Sequence, residues 1–244
     1  MSHQLRSELL KLRTTRTLAL LLLAAGAMSL LGVSVEALSR DLDTLAPEDA
    51  QRDLFSSGVT VGVFFATLAG LLAATSEFRY GTIRPTLIVE PRRRVVIAAK
   101  LVAAALAGSA FALICVGVTF GAGIAVFAVR DVDVALTGAH TLLLVAGPIV
   151  ASMVSAMIGV AFGTLIRNQA GAIVALAAYA LLVDAVLFAA VPSVGRYLPG
   201  KAGDALAGRP DELLLAPGLG AAVLIAWALA FLAAATVRND RSDV

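Results

Sequence analysis

Residues 95–129 read "VVIAAKLVAAALAGSAFALICVGVTFGAGIAVFAV", with Lys100 as the single charge. At the helical rise of 1.5 Å per residue this run spans about 52 Å, against an apolar bilayer thickness of roughly 30 Å. Tilt absorbs part of the surplus. The remainder is expected to project beside the charged residues that precede the run, which leaves Lys100 near the interface with its amine snorkelling to water. So long an apolar stretch places the fold in a membrane.

Five further apolar segments lie on either side, at residues 17–38, 54–75, 139–166, 170–191 and 217–237. The 244-residue chain is 59% hydrophobic and 15% charged, whereas soluble domains carry about 25% charged residues. Each segment is apolar all round and rich in Gly and Ala, as helices packed in lipid are. The short alternating segments of a membrane barrel are missing. The expected fold is an all-α integral membrane protein with six transmembrane helices, forming one transmembrane domain over residues 1–244. The first segment is too long for a secretory h-region and lacks a small-x-small cleavage site before Arg40, so it is read as a retained helix. Pro148 is expected to kink the fourth helix.

Charge sets the orientation. Thirteen of the 19 Lys and Arg residues fall on the side that holds the N-terminal tail, residues 76–94 with Lys100, Arg167 and the C-terminal tail. Six fall on the other side, with eleven acids against five. The positive-inside rule then puts both termini in the cytosol and the protein in the plasma membrane (a cell inner membrane) as a multi-pass protein. In residues 1–16, Leu5, Leu9, Leu10 and Leu12 recur at helical spacing among Arg6, Lys11, Arg13 and Arg16. That pattern favours an interfacial amphipathic helix, leucines in lipid and cations at anionic headgroups, over a frayed positive tail that only sets topology.

Between the second and third segments stands "SEFRYGTIRPTLIVEPRRR", residues 76–94. A merely solvated loop needs charge, but not this mixture of an acid, aromatics, a glycine and prolines. Thr75 or Ser76 is suited to cap a short turn, and Gly81 to end it. Pro85 and Pro91 stiffen the exit. Phe78 and Tyr80 offer large contact area at low entropy cost.

Other chemistry is scarce. "GRYLPGKA", from Gly195 to Ala202, has the spacing of a phosphate loop but lacks the final Ser or Thr and any preceding strand, so the match is read as chance. His3 and His140 have no second ligand at metal spacing. No Gly-x-Ser-x-Gly is present. Cys115 is the one cysteine, which excludes an intrachain disulfide. The net charge of +2 does not suggest nucleic acid. Three Gly-x-x-x-Gly pairs, Gly58/Gly62, Gly117/Gly121 and Gly159/Gly163, each suit either packing within one subunit or a dimer seam. Asp184 is the one acid well inside an apolar run, either on a substrate path or in a structural polar contact. The last outer loop, residues 192–216, is half apolar and suited either to dip back into the outer leaflet or to stand as a plain solvated loop.

"SEFRYGTIRPTL" between the second and third of six helices resembles the permeases of the ABC-2 type exporter family, which carry a Glu-aromatic-Arg-x-Gly-Thr pattern there. The resemblance falls on Glu77, Phe78, Arg79, Tyr80, Gly81 and Thr82, with Arg84 beyond them. It implies a half-transporter that binds no cofactor itself and is not an enzyme. It pairs with a second permease copy or paralogue and with two copies of a separate ATPase that holds ATP and Mg. Residues 76–94 are then the cytosolic coupling element and residues 192–216 the family's re-entrant segment. Glu77 is expected to meet a cation or backbone donors of the ATPase, Arg79 and Arg84 its acids, and Phe78 or Tyr80 an apolar pocket. The function implied is export of an amphiphilic or hydrophobic compound such as a drug or lipid, within membrane lipids and without nucleic acid. Two alternatives remain: a proton-coupled secondary transporter using Asp184, and a non-transporting membrane assembly subunit.

Overall fold

A computed structural model describes residues 2–82 and 92–240. The described residues form helices and no strand. In chain order these are α1 (Ser2–Thr14), α2 (Arg16–Ser39), α3 (Leu42–Leu45), α4 (Glu48–Arg79), α5 (Arg93–Val129), α6 (Gly138–Ile166) and α7 (Gln169–Ala178). A π-helical segment (Tyr179–Val183) joins α7 to α8 (Asp184–Ala190), followed by α9 (Pro192–Gly195), α10 (Pro199–Leu206) and α11 (Pro217–Asp240). Six stretches are long and apolar enough to cross a membrane: Arg16–Ser39, Glu48–Arg79, Val95–Val129, Gly138–Ile166, Gln169–Ala190 and Pro217–Arg238.

The second span corrects the expected boundaries at both ends. α4 is a single helix of 32 residues, about 48 Å long. It begins at Glu48, where Glu48 and Asp49 sit in its first turn and favour the positive end of the helix dipole. It also runs straight through the place where a separate capped turn was expected. Thr75 is buried, its hydroxyl donating to Leu71 O at 2.9 Å, and Ser76 caps nothing. Pro85 and Pro91 lie outside the described residues.

α4 is the central helix, packed against α2, α5, α6 and α7. Small residues make this packing close. A Cβ on Gly159 of α6 would overlap the Thr67 carbonyl of α4, and one on Gly70 of α4 would overlap the Ala156 carbonyl of α6. Gly163 meets Leu71 O at 2.7 Å in the same way. Across α4, a Cβ on Gly58 would come within 2.5 Å of Thr119 and one on Gly62 within 3.1 Å of Cys115, both on α5. Two of the three glycine pairs therefore hold one subunit together. Gly117 and Gly121 differ: they lie exposed on α5 with nothing within 4 Å.

At the end of the bundle that holds the α2–α4 and α5–α6 turns, polar groups close the loops. Arg130 donates to Ala37 O at 2.5 Å and Arg40 O at 2.8 Å, satisfying carbonyls that the end of α2 leaves open. The buried Gln51 donates to Leu45 O and Asp133 O and accepts from Ala135 N. His140 Nδ1 lies 2.6 Å from Glu48 Oε1. Between the last two spans, α10 is buried from Ala202 to Leu206 and packs on α6 and α11. Gly147 of α6 and Gly220 of α11 leave room for its backbone.

Candidate functional site

α1, the end of α4 and the start of α5 meet at the opposite end of the bundle and bring four charged side chains together. Lys11 Nζ donates to Glu8 Oε1 at 2.7 Å and to Glu77 Oε1 at 2.8 Å. Lys100 Nζ donates to Glu8 Oε2 at 2.7 Å and to Glu77 Oε1 at 2.9 Å. The result is a closed ring in which acids and bases alternate. Glu8, Glu77 and Lys100 are 4%, 6% and 7% exposed, while Lys11 reaches water. Glu8 and Lys11 share a face of α1 because they stand three residues apart on a helix.

The ring favours the charged forms of Glu8 and Lys11. Burial pushes the Glu8 carboxyl up, but Lys100 and Lys11 outweigh it and hold the group below the usual carboxylate range. Burial pulls the Lys11 amine down, but its bonds to Glu77 and Glu8 raise it on balance. Charges removed from water are tolerated only when paired in this way.

The six residues of the motif divide between inside and outside. Glu77 bonds within its own chain, to Lys11 and Lys100. Phe78 is half-buried, with the Arg167 guanidinium 5.4 Å from its ring centre. Arg79 donates to Gln169 Oε1 at 2.9 Å and lies over the Tyr80 ring at 5.4 Å. Tyr80 is 70% exposed. Gly81 adopts φ +66° and the Thr82 N–H returns to Glu77 O at 3.0 Å. This is the left-handed glycine stop that the sequence suggested, now ending α4 itself. Arg84 lies outside the described residues.

Lys100 was legible only as a snorkelling cation, and the roles of Glu8 and Lys11 were missed. The available signal was an acid three residues before a lysine, both within a basic leucine-rich helix. On α1, Glu8 faces the bundle while Leu10 is exposed.

Asp184 joins a second polar group near the other end. Its Oδ1 accepts from the Tyr179 hydroxyl at 3.0 Å and its Oδ2 lies 3.6 Å from Lys201 Nζ. The π segment makes the first contact possible. Residues five apart on an α-helix are turned about 140° from each other, whereas the wider i→i+5 turn of a π segment brings them closer to one face. Lys201, from the phosphate-loop look-alike, donates to Asp204 at 3.1 Å. Among the described residues no group of His, Cys, Asp and Glu is placed to hold a metal ion.

The sequence model of the family described as "ABC-2 family transporter protein" matches residues 4–184. The matched region runs from α1 through the motif to the π segment. No curated protein matches the sequence.

Proposed function

Since the chain belongs to the ABC-2 family of transporter proteins, we propose that it is the permease subunit of an exporter driven by a separate ATPase. The positive-inside bias supports a cytosolic position for α1, the motif and both termini. α1 then lies at the inner interface, tied to the bundle through Glu8 and facing lipid with Leu10. The buried segment around α10 dips back from the outer side. The cargo is an amphiphilic or hydrophobic compound.

The observation that carries this reading is the division of the motif. Its first residue, Glu77, is locked into a buried ring that joins three helices. Its last four, Arg79 to Thr82, form an exposed tip. An ATPase that grips the tip acts on a rigid helix end, and the ring passes the displacement to α1 and α5. A merely solvated loop has no use for such an anchor. The test is purification of the tagged chain from its native membrane in mild detergent. A separate ATPase is expected to accompany it, and Tyr80→Ala to lower the ATPase recovered about tenfold or more, as loss of an aromatic anchor does. A chain that exports its cargo with no ATPase present would overturn the reading.

We further propose a dimer with a second permease copy or paralogue, seated on the exposed face of α5 around Gly117 and Gly121. The other two glycine pairs are used inside the subunit, whereas this pair opens outward beside exposed Leu113 and Ile124. Close backbone approach in lipid uses faces of this kind. Gly117→Leu is expected to leave helix content unchanged, because nothing in the subunit lies within 4 Å, while halving the assembly mass measured by light scattering. An unchanged mass places the seam elsewhere.

A further inference from the structure

Between α4, α6, the π segment, α10 and α11 lies a cavity of about 520 Å³. That volume is within the range of small-molecule sites, about 300–1,000 Å³. One part is apolar and aromatic, walled by Phe64, Phe162, Leu176, Trp227 and Phe231. The other part is charged, formed by Asp184, Lys201, Asp204 and Arg209. An apolar body with one polar end fits such a shape.

The sign of that end follows from the ion pairs. Asp184 meets Lys201, and Lys201 meets Asp204. Asp204 meets Arg209 at 4.0 Å, and Arg209 meets Asp53 at 3.4 Å. Asp53 meets Arg40 at 2.9 Å, and Arg40 meets Glu36. Acids and bases alternate along this chain, and it ends on an acid at each side. Four carboxylates therefore share three cations. Glu36, at one end, also accepts from Ser57 Oγ at 2.6 Å. Asp184, at the other end, faces the cavity. Lys201 is held closer to Asp204, at 3.1 Å, than to Asp184, at 3.6 Å, and 3.6 Å exceeds hydrogen-bond length. The carboxylate that is 7% exposed thus has one firm donor, Tyr179, and capacity for more. The chain thus has one carboxylate more than it has cations, and of its two ends Asp184 is the one that faces the cavity.

Local structure serves the same end. The π segment turns Tyr179 and Asp184 to one side of the helix. Gly200, at the start of α10, lets that backbone approach the carboxylate, since a Cβ there would sit 2.5 Å from Asp184 Oδ1. Aromatic faces beside a buried carboxylate are suited to an organic cation, through cation–π attraction and apolar contact.

We propose that this cavity binds a cationic amphiphile, its positive centre against Asp184 and its body against Phe64, Phe162, Trp227 and Phe231. The site belongs to this chain alone and does not depend on the ATPase partnership. Trp227 lines it and is the protein's single tryptophan, so its fluorescence reports occupancy directly. The experiment uses the purified full chain in lipid nanodiscs and two ions of the same shape, tetraphenylphosphonium and tetraphenylborate. The cation is expected to change Trp227 emission saturably and the anion only in proportion to its partition into lipid. Asp184→Asn should weaken the cation at least tenfold and Asp184→Glu by no more than a few-fold. Lys201→Gln removes the competing amine and should tighten the cation several-fold, an effect opposite in sign to simple damage. This variant also keeps the test valid if Asp184→Asn fails to fold. Equal saturable responses to both ions, unchanged affinity in Asp184→Asn, or weaker cation binding in Lys201→Gln would overturn the proposal.

Discussion

Glu77→Gln is expected to loosen α1 from the bundle and, under the proposed ATPase-driven function, to abolish export, while the permease still inserts. The substitution keeps size but leaves Lys11 and Lys100 sharing the single carboxylate of Glu8. Breaking a buried ion pair costs about 3–5 kcal/mol. The lower end applies here because Lys11 reaches water. Hydrogen exchange along α1 should rise accordingly. The double variant Glu77→Gln/Lys11→Gln should recover most of the protection, since it restores neutrality and keeps the Glu8–Lys100 pair at 2.7 Å. Acid should imitate the single variant. Glu8 titrates below its usual range in the folded chain, so its contribution is complete above about pH 5 and lost as pH falls through that lowered value. Lys11 is raised, so its contribution is complete below about pH 10 and lost as pH rises past the raised value. If α1 exchanges at the same rate in Glu77→Gln and in the parent, the ring does not hold it.

Gly159→Ala should be among the most damaging single methyls at the described residues. The added Cβ would overlap the Thr67 carbonyl and lie 2.9 Å from Leu71 N. Both are backbone atoms of α4, so no rotamer change relieves the overlap, and α4 and α6 must separate. Overpacking commonly costs about 1–3 kcal/mol. Displacing two long helices whose contact includes Gly70 against Ala156 takes the loss to the upper end or beyond, about 3 kcal/mol or more. Gly117→Ala adds the same methyl where nothing lies within 4 Å and should be silent in the monomer. Thermal unfolding in detergent compares the two. Equal stability of Gly159→Ala and the parent would contradict the packing described.

The six spans were legible because length and hydropathy suffice to mark a bilayer crossing. The start of α4 was not, because Glu48, Asp49, Arg52 and Asp53 look like loop charges in a linear reading. In the fold these charges have partners, as Asp53 has in Arg40 and Arg209. The motif was legible as a unit, but not the inward turn of Glu77, whose partners stand 66 and 23 residues away. The three glycine pairs look alike in sequence, and only the neighbours of each separate packing from an open face. The π segment left no mark in "YALLV", so Tyr179 went unnoticed although Asp184 stood out.

The uninterrupted length of α4 has a mechanical consequence. Its tightest contact, around Thr67 and Gly70, is not at its middle. About ten residues separate that contact from Arg79 and about twenty separate it from Glu48, so the arms are roughly 15 Å and 30 Å. A rod pivoting there is a lever of about two to one. A displacement of about 1 Å at the Tyr80 tip becomes about 2 Å, in the opposite direction, where Arg52 and Asp53 meet the loops at the other end of the bundle. Thr60 and Phe64 lie on the longer arm, so the same tilt alters the wall of the cavity they line.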